Sequence, residues 1–141
     1  MKKLLVIFIL ISQYALVAQT KIAVGDYKYE AKLTDGNALT HEVTLHPNGT
    51  YAYTYYRFIE AGIPQKEHKS DGGTWKITNK LISFTSNNKN QSKEETIDLS
   101  HSKARLDYKS PRNTSSENSP TTIQFHESDI PWIKSYTLTK A

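Results

Sequence analysis

Apolar and polar residues switch at every step through Tyr27-Lys28-Tyr29-Glu30-Ala31-Lys32-Leu33. A period of two puts successive side chains on opposite faces, so this stretch suits a β-strand with one buried side. A helix of the same sequence would gather no apolar stripe. His41 to His46 repeats the pattern, with Val43 and Leu45 on one face. Pro47-Asn48-Gly49 then supplies a hairpin turn, because Asn-Gly tolerates the positive φ that tight turns require. Thr50 to Ile59 follows as the longest strand candidate, with Tyr51, Tyr53 and Tyr55 on one face and Ala52, Thr54, Tyr56 and Phe58 on the other. Both faces carry bulk, so the period does not choose which looks inward.

The same reading organises the remainder. Glu60 to Gly73 is polar and holds Gly62, Pro64, Gly72 and Gly73, which predicts a loop. Thr74 to Thr78 and Leu81 to Ser86 form a hairpin joined at Asn79-Lys80, with Trp75, Ile77, Ile82 and Phe84 inward. Asn87 to Glu95 is a polar loop. Thr96 to Ser100 and Ala104 to Lys109 make a further hairpin that turns Ile97, Leu99, Leu106 and Tyr108 to the core. Ser110 to Pro120 is read as a mobile loop. Thr121 to Glu127 and Ile133 to Thr139 close the chain, with Pro131 bending the start of the last strand. About eight or nine short strands, and no helix longer than a turn beyond the leader, predict an all-β fold. The architecture expected is an antiparallel up-and-down barrel or a β-sandwich.

The first eighteen residues read as an address. Lys2 and Lys3 are followed by the unbroken apolar run Leu4 to Ile11, and the small Ala18 precedes the polar Gln19-Thr20-Lys21. That order is a secretory signal. Ser12 and Gln13 interrupt the run before it reaches the ~20 apolar residues of a membrane span. The expected organisation is a signal peptide over 1–18 and one β-domain over 19–141, exported to the periplasm or outside, with no membrane span in the mature chain. Losing Lys2 and Lys3 lowers the formal charge from +4 to +2, which argues against a nucleic-acid partner. The chain has no cysteine. Disulfides, thiol nucleophiles, thiolate metal sites and a lipid-modified N-terminal cysteine are therefore excluded.

Asp35-Gly36, Leu45-His46-Pro47-Asn48-Gly49-Thr50-Tyr51-Ala52-Tyr53, and Gly73-Thr74-Trp75-Lys76 followed by Leu81-Ile82-Ser83-Phe84 stand in a familiar order. Across Tyr27 to Phe84 the chain resembles the small lipocalin-like β-barrel domains of secreted bacterial proteins. The resemblance implies a closed or nearly closed antiparallel barrel with Tyr51, Tyr53 and Trp75 inside. It names no activity.

Motifs for chemistry are sparse. There is no Gly-rich phosphate loop, no Gly-x-Ser-x-Gly and no His-Glu-x-x-His. The five histidines are scattered, and His41 and His46, an odd number apart, would point to opposite faces of one strand. They are read as solvated strand-end residues, with His68 in a loop and His101 in a turn. Asp98 and Asp107 are read as outward strand positions, Glu94 and Glu95 as loop residues, and Asp129 as turn chemistry. No catalytic residue, metal site or cofactor is expected, and the chain is not read as an enzyme. The expected function is a binding module for a small apolar or amphipathic ligand, contacted by Tyr51, Tyr53, Tyr55 and Trp75. Trp75 is read as a core residue first. The alternative is an envelope interaction protein, an inhibitor or immunity-type partner working through surface loops. A hollow interior favours the first and a filled core with an exposed aromatic patch the second.

Overall fold

The computed structural model describes residues 2–88, 95–109, 119–134 and 136–141. A helix, α1 (Lys2–Ala23), leads into β1 (Gly25–Lys32), β2 (Ala38–Leu45), β3 (Thr50–Phe58), β4 (Lys66–Thr78), β5 (Leu81–Ser86), β6 (Lys103–Asp107), β7 (Thr122–Glu127) and β8 (Thr137–Lys140). Each strand pairs antiparallel with the next, and β1 pairs with β8, so the sheet closes as an up-and-down barrel. Closure leaves no sheet edge, which settles the choice between barrel and sandwich.

The alternation in β1 to β3 sets the interior. Tyr27, Val43, Leu45, Tyr51, Tyr53 and Tyr55 are all buried, so the tyrosine face of β3 looks inward. Register stacks these positions in layers. Tyr27, Val43, Tyr53 and Asp71 share one level, Tyr29, His41, Tyr55 and Lys69 the next, and Ala31, Leu39, Arg57 and Glu67 the level above. The middle of the barrel is filled with side chains, including Ile82, Phe84, Leu106, Ile123, Phe125 and Leu138. Interiors are normally close-packed in this way.

The turns follow their residues. Gly49 has φ 85°, and Asn79 and Lys80 have φ 50° and 65°, the positive values that tight hairpins need. Trp75 is buried in the C-terminal half of β4. Its indole N–H donates to His46 O at 3.1 Å, and its backbone N–H to Gly49 O at 2.9 Å. The Pro47-Asn48-Gly49 turn is thereby tied to β4.

Four expectations are corrected. The segment 60–73 is not all loop, because β4 begins at Lys66 and pairs with β3 from Phe58↔Lys66 downward. Glu67, Lys69 and Asp71 occupy its inward positions, so both faces of this half-strand are polar and no alternation shows. His68 accordingly lies in a strand. Residues 96–100 form no strand. Only Thr96 bridges, in parallel to Ser70, and Asp98 sits in a loop where its Oδ1 accepts from Ser100 N. The last strand starts at Thr137, not Ile133, because residues 131–134 form a turn that drops Ile133 into the core. His41 is a fully buried residue in the middle of β2. The loops read over 87–95 and 110–120 fall largely on residues 89–94, Glu94 included, and 110–118, outside the described residues.

The two barrel ends differ. At one, the last turn of α1 packs against the strands. Ala23 is buried, Tyr27 donates its hydroxyl to Ala23 O at 2.6 Å, and Lys140 Nζ donates to Ile22 O at 2.9 Å. A lysine at the carbonyl end of a helix also complements its dipole. Burial pushes the Tyr27 hydroxyl pKa up to about 12. Among the described residues no helix is long and apolar enough to cross a membrane. The other end, bounded by the turns 33–37 and 59–65, the segment 128–134 and Tyr136, is the mouth.

Candidate functional site

Three consecutive strands place aromatic rings at one level below the mouth. Tyr29, His41 and Tyr55 are register partners across β1, β2 and β3. The segment before β8 adds Trp132 and Tyr136 from the far side. The His41 ring centroid lies 4.3 Å from that of Tyr136, 5.1 Å from Tyr55, 5.7 Å from Trp132 and 6.0 Å from Tyr29. Tyr55 and Trp132 pack at 4.7 Å. These spacings and their tilts suit favourable aromatic pairs. Trp132 is 39% exposed, an unusual position for so large a ring.

Above this floor the interior opens. A half-open cleft of about 500 Å³ is lined by Leu39, Tyr55, Phe58, Trp132 and Tyr136 together with Arg57. Its polar wall is an ion pair. Arg57 Nη2 lies 2.7 Å from Glu67 Oε2, and Lys69 Nζ lies 3.4 Å from the other oxygen of Glu67. A concave apolar surface with a few fixed polar groups is the usual form of a small-molecule site.

His41 is the least ordinary member. Its Nδ1 is 2.9 Å from the Tyr53 hydroxyl, and its Nε2 is buried with no hydrogen-bond partner. Burial among rings disfavours the imidazolium and lowers the His41 pKa from 6.5 to about 4. Burial likewise raises the hydroxyl pKa of Tyr53 and Tyr55. Between pH 6.5 and 4 the unfolded chain binds a proton at His41 that the folded chain refuses. Stability from this group is therefore complete above about pH 6.5 and is lost as the pH falls toward 4. The expected loss is about 3 kcal/mol. Chemical denaturation of the parent and of His41→Phe/Tyr53→Phe across this window checks it, since the variant should lack that part of the slope. Equal slopes would contradict it.

The structure separates the four residues expected to touch a ligand. Tyr55 lines the mouth, and Tyr53 lies beneath it against His41. Tyr51 is a layer deeper and donates its hydroxyl to Asp71 Oδ2 at 2.6 Å. Trp75 lies toward the helix end. Arg57, Glu67, Trp132 and Tyr136 were not singled out in the sequence, and neither was Asp71. The buried Asp71 carboxyl accepts from Tyr51, Gly72 N, Ser86 Oγ, Asn88 Nδ2 and Leu99 N. His101, in a turn as expected, pairs with the exposed Asp129 at 2.9 Å on the surface. Among the described residues no three His, Asp or Glu side chains converge as metal ligands. No family model, curated protein or solved structure matches the chain.

Proposed function

We propose that this chain is an exported, lipocalin-like, non-enzymatic binding module that takes a small apolar or amphipathic ligand in the barrel mouth. The carrying observation is the cleft of about 500 Å³ over the Tyr55–Trp132–Tyr136 floor. Because the centre is packed, the ligand site moves from the whole tyrosine face of β3 to its upper end. Export rests on the Lys2-Lys3 start, the Leu4 to Ile11 run and Ala18. Cleavage after Ala18 leaves the turn that packs the opposite end of the barrel.

A second reading draws on the rim. Leu33 and Ile63 are 59% and 101% exposed in two turns beside the mouth, and exposed apolar groups beside a cleft also suit a protein partner. Titration with anilinonaphthalene sulfonate, followed by probe and tryptophan fluorescence, separates the two. One saturable site is expected, weakened at least tenfold in Leu39→Trp, which fills the cleft from the β2 wall. Binding unaffected by Leu39→Trp, or no saturable binding, would remove the mouth as a ligand site and leave the rim reading in front.

A further inference from the structure

His41 Nε2 has no counterpart among the other described residues. Among the described residues it is the one buried side-chain nitrogen or oxygen with no hydrogen-bond partner. Asp71, the other deeply buried polar group on the same side of the barrel, is fully satisfied. Native interiors rarely leave such an atom unpaired, because the group surrenders its bonds to water and gains none. The Tyr53 hydroxyl occupies only Nδ1 of the ring and leaves the second nitrogen unused. Leu39, Val43 and Leu45 occupy the other inward positions of β2, so His41 is the one polar side chain on that face of the strand.

The direction of the atom is fixed by its neighbour. Nδ1 faces the Tyr53 hydroxyl one layer down, so the second ring nitrogen points away from that bond, and the rings of Tyr55, Trp132 and Tyr136 pack around the imidazole at 4.3–5.7 Å between centroids. Those three rings are also the floor of the cleft. Of the three, Trp132 is the exposed one, carried on a turn rather than on a strand. His41 lies beneath this floor and does not itself line the cleft, so a ligand reaches Nε2 by displacing the Trp132 ring.

We propose that His41 Nε2 is the polar anchor of the mouth, and that the ligand is a compact, flat, apolar molecule with an uncharged hydroxyl or carbonyl at its leading end. This rests on the mouth reading above and deepens it. The body is matched by the aromatic floor, where flat rings stack. The head is uncharged because Nε2 is buried and His41 packs against the rings of Tyr29, Tyr55, Trp132 and Tyr136. The nearest charges, Arg57, Glu67 and Lys69, already pair with one another on the wall. An ion driven to that depth would lose its hydration without a counter-ion.

The test compares 1-naphthol with naphthalene, which share a body and differ by one hydroxyl. By calorimetric or fluorescence titration the parent protein is expected to bind 1-naphthol at least tenfold more tightly. The His41→Phe/Tyr53→Phe variant removes both partners of the buried bond, so neither is left unpaired. It is expected to keep naphthalene binding and to lose the preference. In ¹⁵N-labelled parent protein, 1-naphthol should shift the His41 Nε2 resonance while naphthalene does not, a readout that needs no variant to fold. Equal binding of both probes, blocked by Leu39→Trp, would overturn the anchor and leave the mouth reading intact. Binding of neither would overturn both. A preference that survives in the double variant, or an unmoved Nε2 resonance, would also overturn the anchor.

Discussion

Adding one methyl group at Gly73 is expected to lower the unfolding free energy by about 3 kcal/mol or more, whereas the same change at Gly72 should stay within about 1 kcal/mol. The two glycines are adjacent in β4 and face opposite ways. A Cβ on Gly73 would stand 2.0 Å from Thr85 O and 2.9 Å from Ser86 Cα. Both are backbone atoms of β5, so no rotamer change relieves the overlap and the two strands must part. At this point β4 is paired on both sides, to β3 through Tyr51↔Gly73 and to β5 through Gly73↔Ser86. Parting them opens the barrel wall beside Trp75, two residues on. A Cβ on Gly72 meets only Tyr51 O, at 3.5 Å, an ordinary contact. It would also restrict the unfolded chain, a small stabilising effect. Thermal melting of the two variants beside the parent checks the contrast. Gly73→Ala should melt roughly 10 °C or more below the parent. Variants that melt alike would show that the close approach is not there.

The legible parts of the fold were those where inward residues are apolar and outward ones polar. The run Tyr27 to Lys32, the Asn48-Gly49 turn and the pair Trp75/Ile77 lie where expected, whereas Leu33, read as the end of that strand, is exposed in the turn after it. The upper half of β4 was hidden because Glu67, Lys69 and Asp71 point inward. Polar side chains on both faces look like loop composition. These residues are polar because they meet the mouth and the buried Asp71 network, so the strand and the site were obscured by the same cause. His41 was misplaced for a related reason. A histidine between Thr40 and Glu42 carries no apolar signal, and only register with Tyr29 and Tyr55 shows it to be interior. Trp132 was not singled out, because the last strand was read from Ile133 with Pro131 bending its start. The turn at 131–134 instead aims Ile133 into the core and leaves Trp132 at the cleft. No local pattern reports which residue of such a turn faces inward. The period in β3 did report that Tyr51, Tyr53 and Tyr55 share a face, and they do. It was silent on depth, and depth decides that Tyr51 serves Asp71, Tyr53 serves His41 and Tyr55 alone reaches the mouth.

Replacing Asp71 by Ala is expected to destabilise the protein by about 3–5 kcal/mol, a large share of the ~5–15 kcal/mol a domain of this size holds. Above Gly73, β4 has no β5 beside it. The segment 95–99 runs there instead, joined by Ser70 N to Glu95 O at 3.0 Å and Ile97 N to Ser70 O at 3.1 Å. So short a bridge does not hold a segment alone, and Asp71 completes it. Its Oδ2 accepts from Leu99 N at 2.9 Å and from the Tyr51 hydroxyl at 2.6 Å, while Oδ1 accepts from Gly72 N, Ser86 Oγ and Asn88 Nδ2. Burial and the bond to Asp71 together raise the Tyr51 hydroxyl pKa. Truncation strands several of these donors away from water, each unmet buried group costing about 1–3 kcal/mol. It also frees Leu99, a fully buried side chain of the core. The loss should appear both in denaturant unfolding and as faster amide exchange at Leu99. Asp71→Asn keeps the volume but turns a donor toward donors, so it should fall between Ala and the parent. An Ala variant within about 1 kcal/mol of the parent, with Leu99 still protected, would mean that the segment 95–99 is held by its apolar contacts alone.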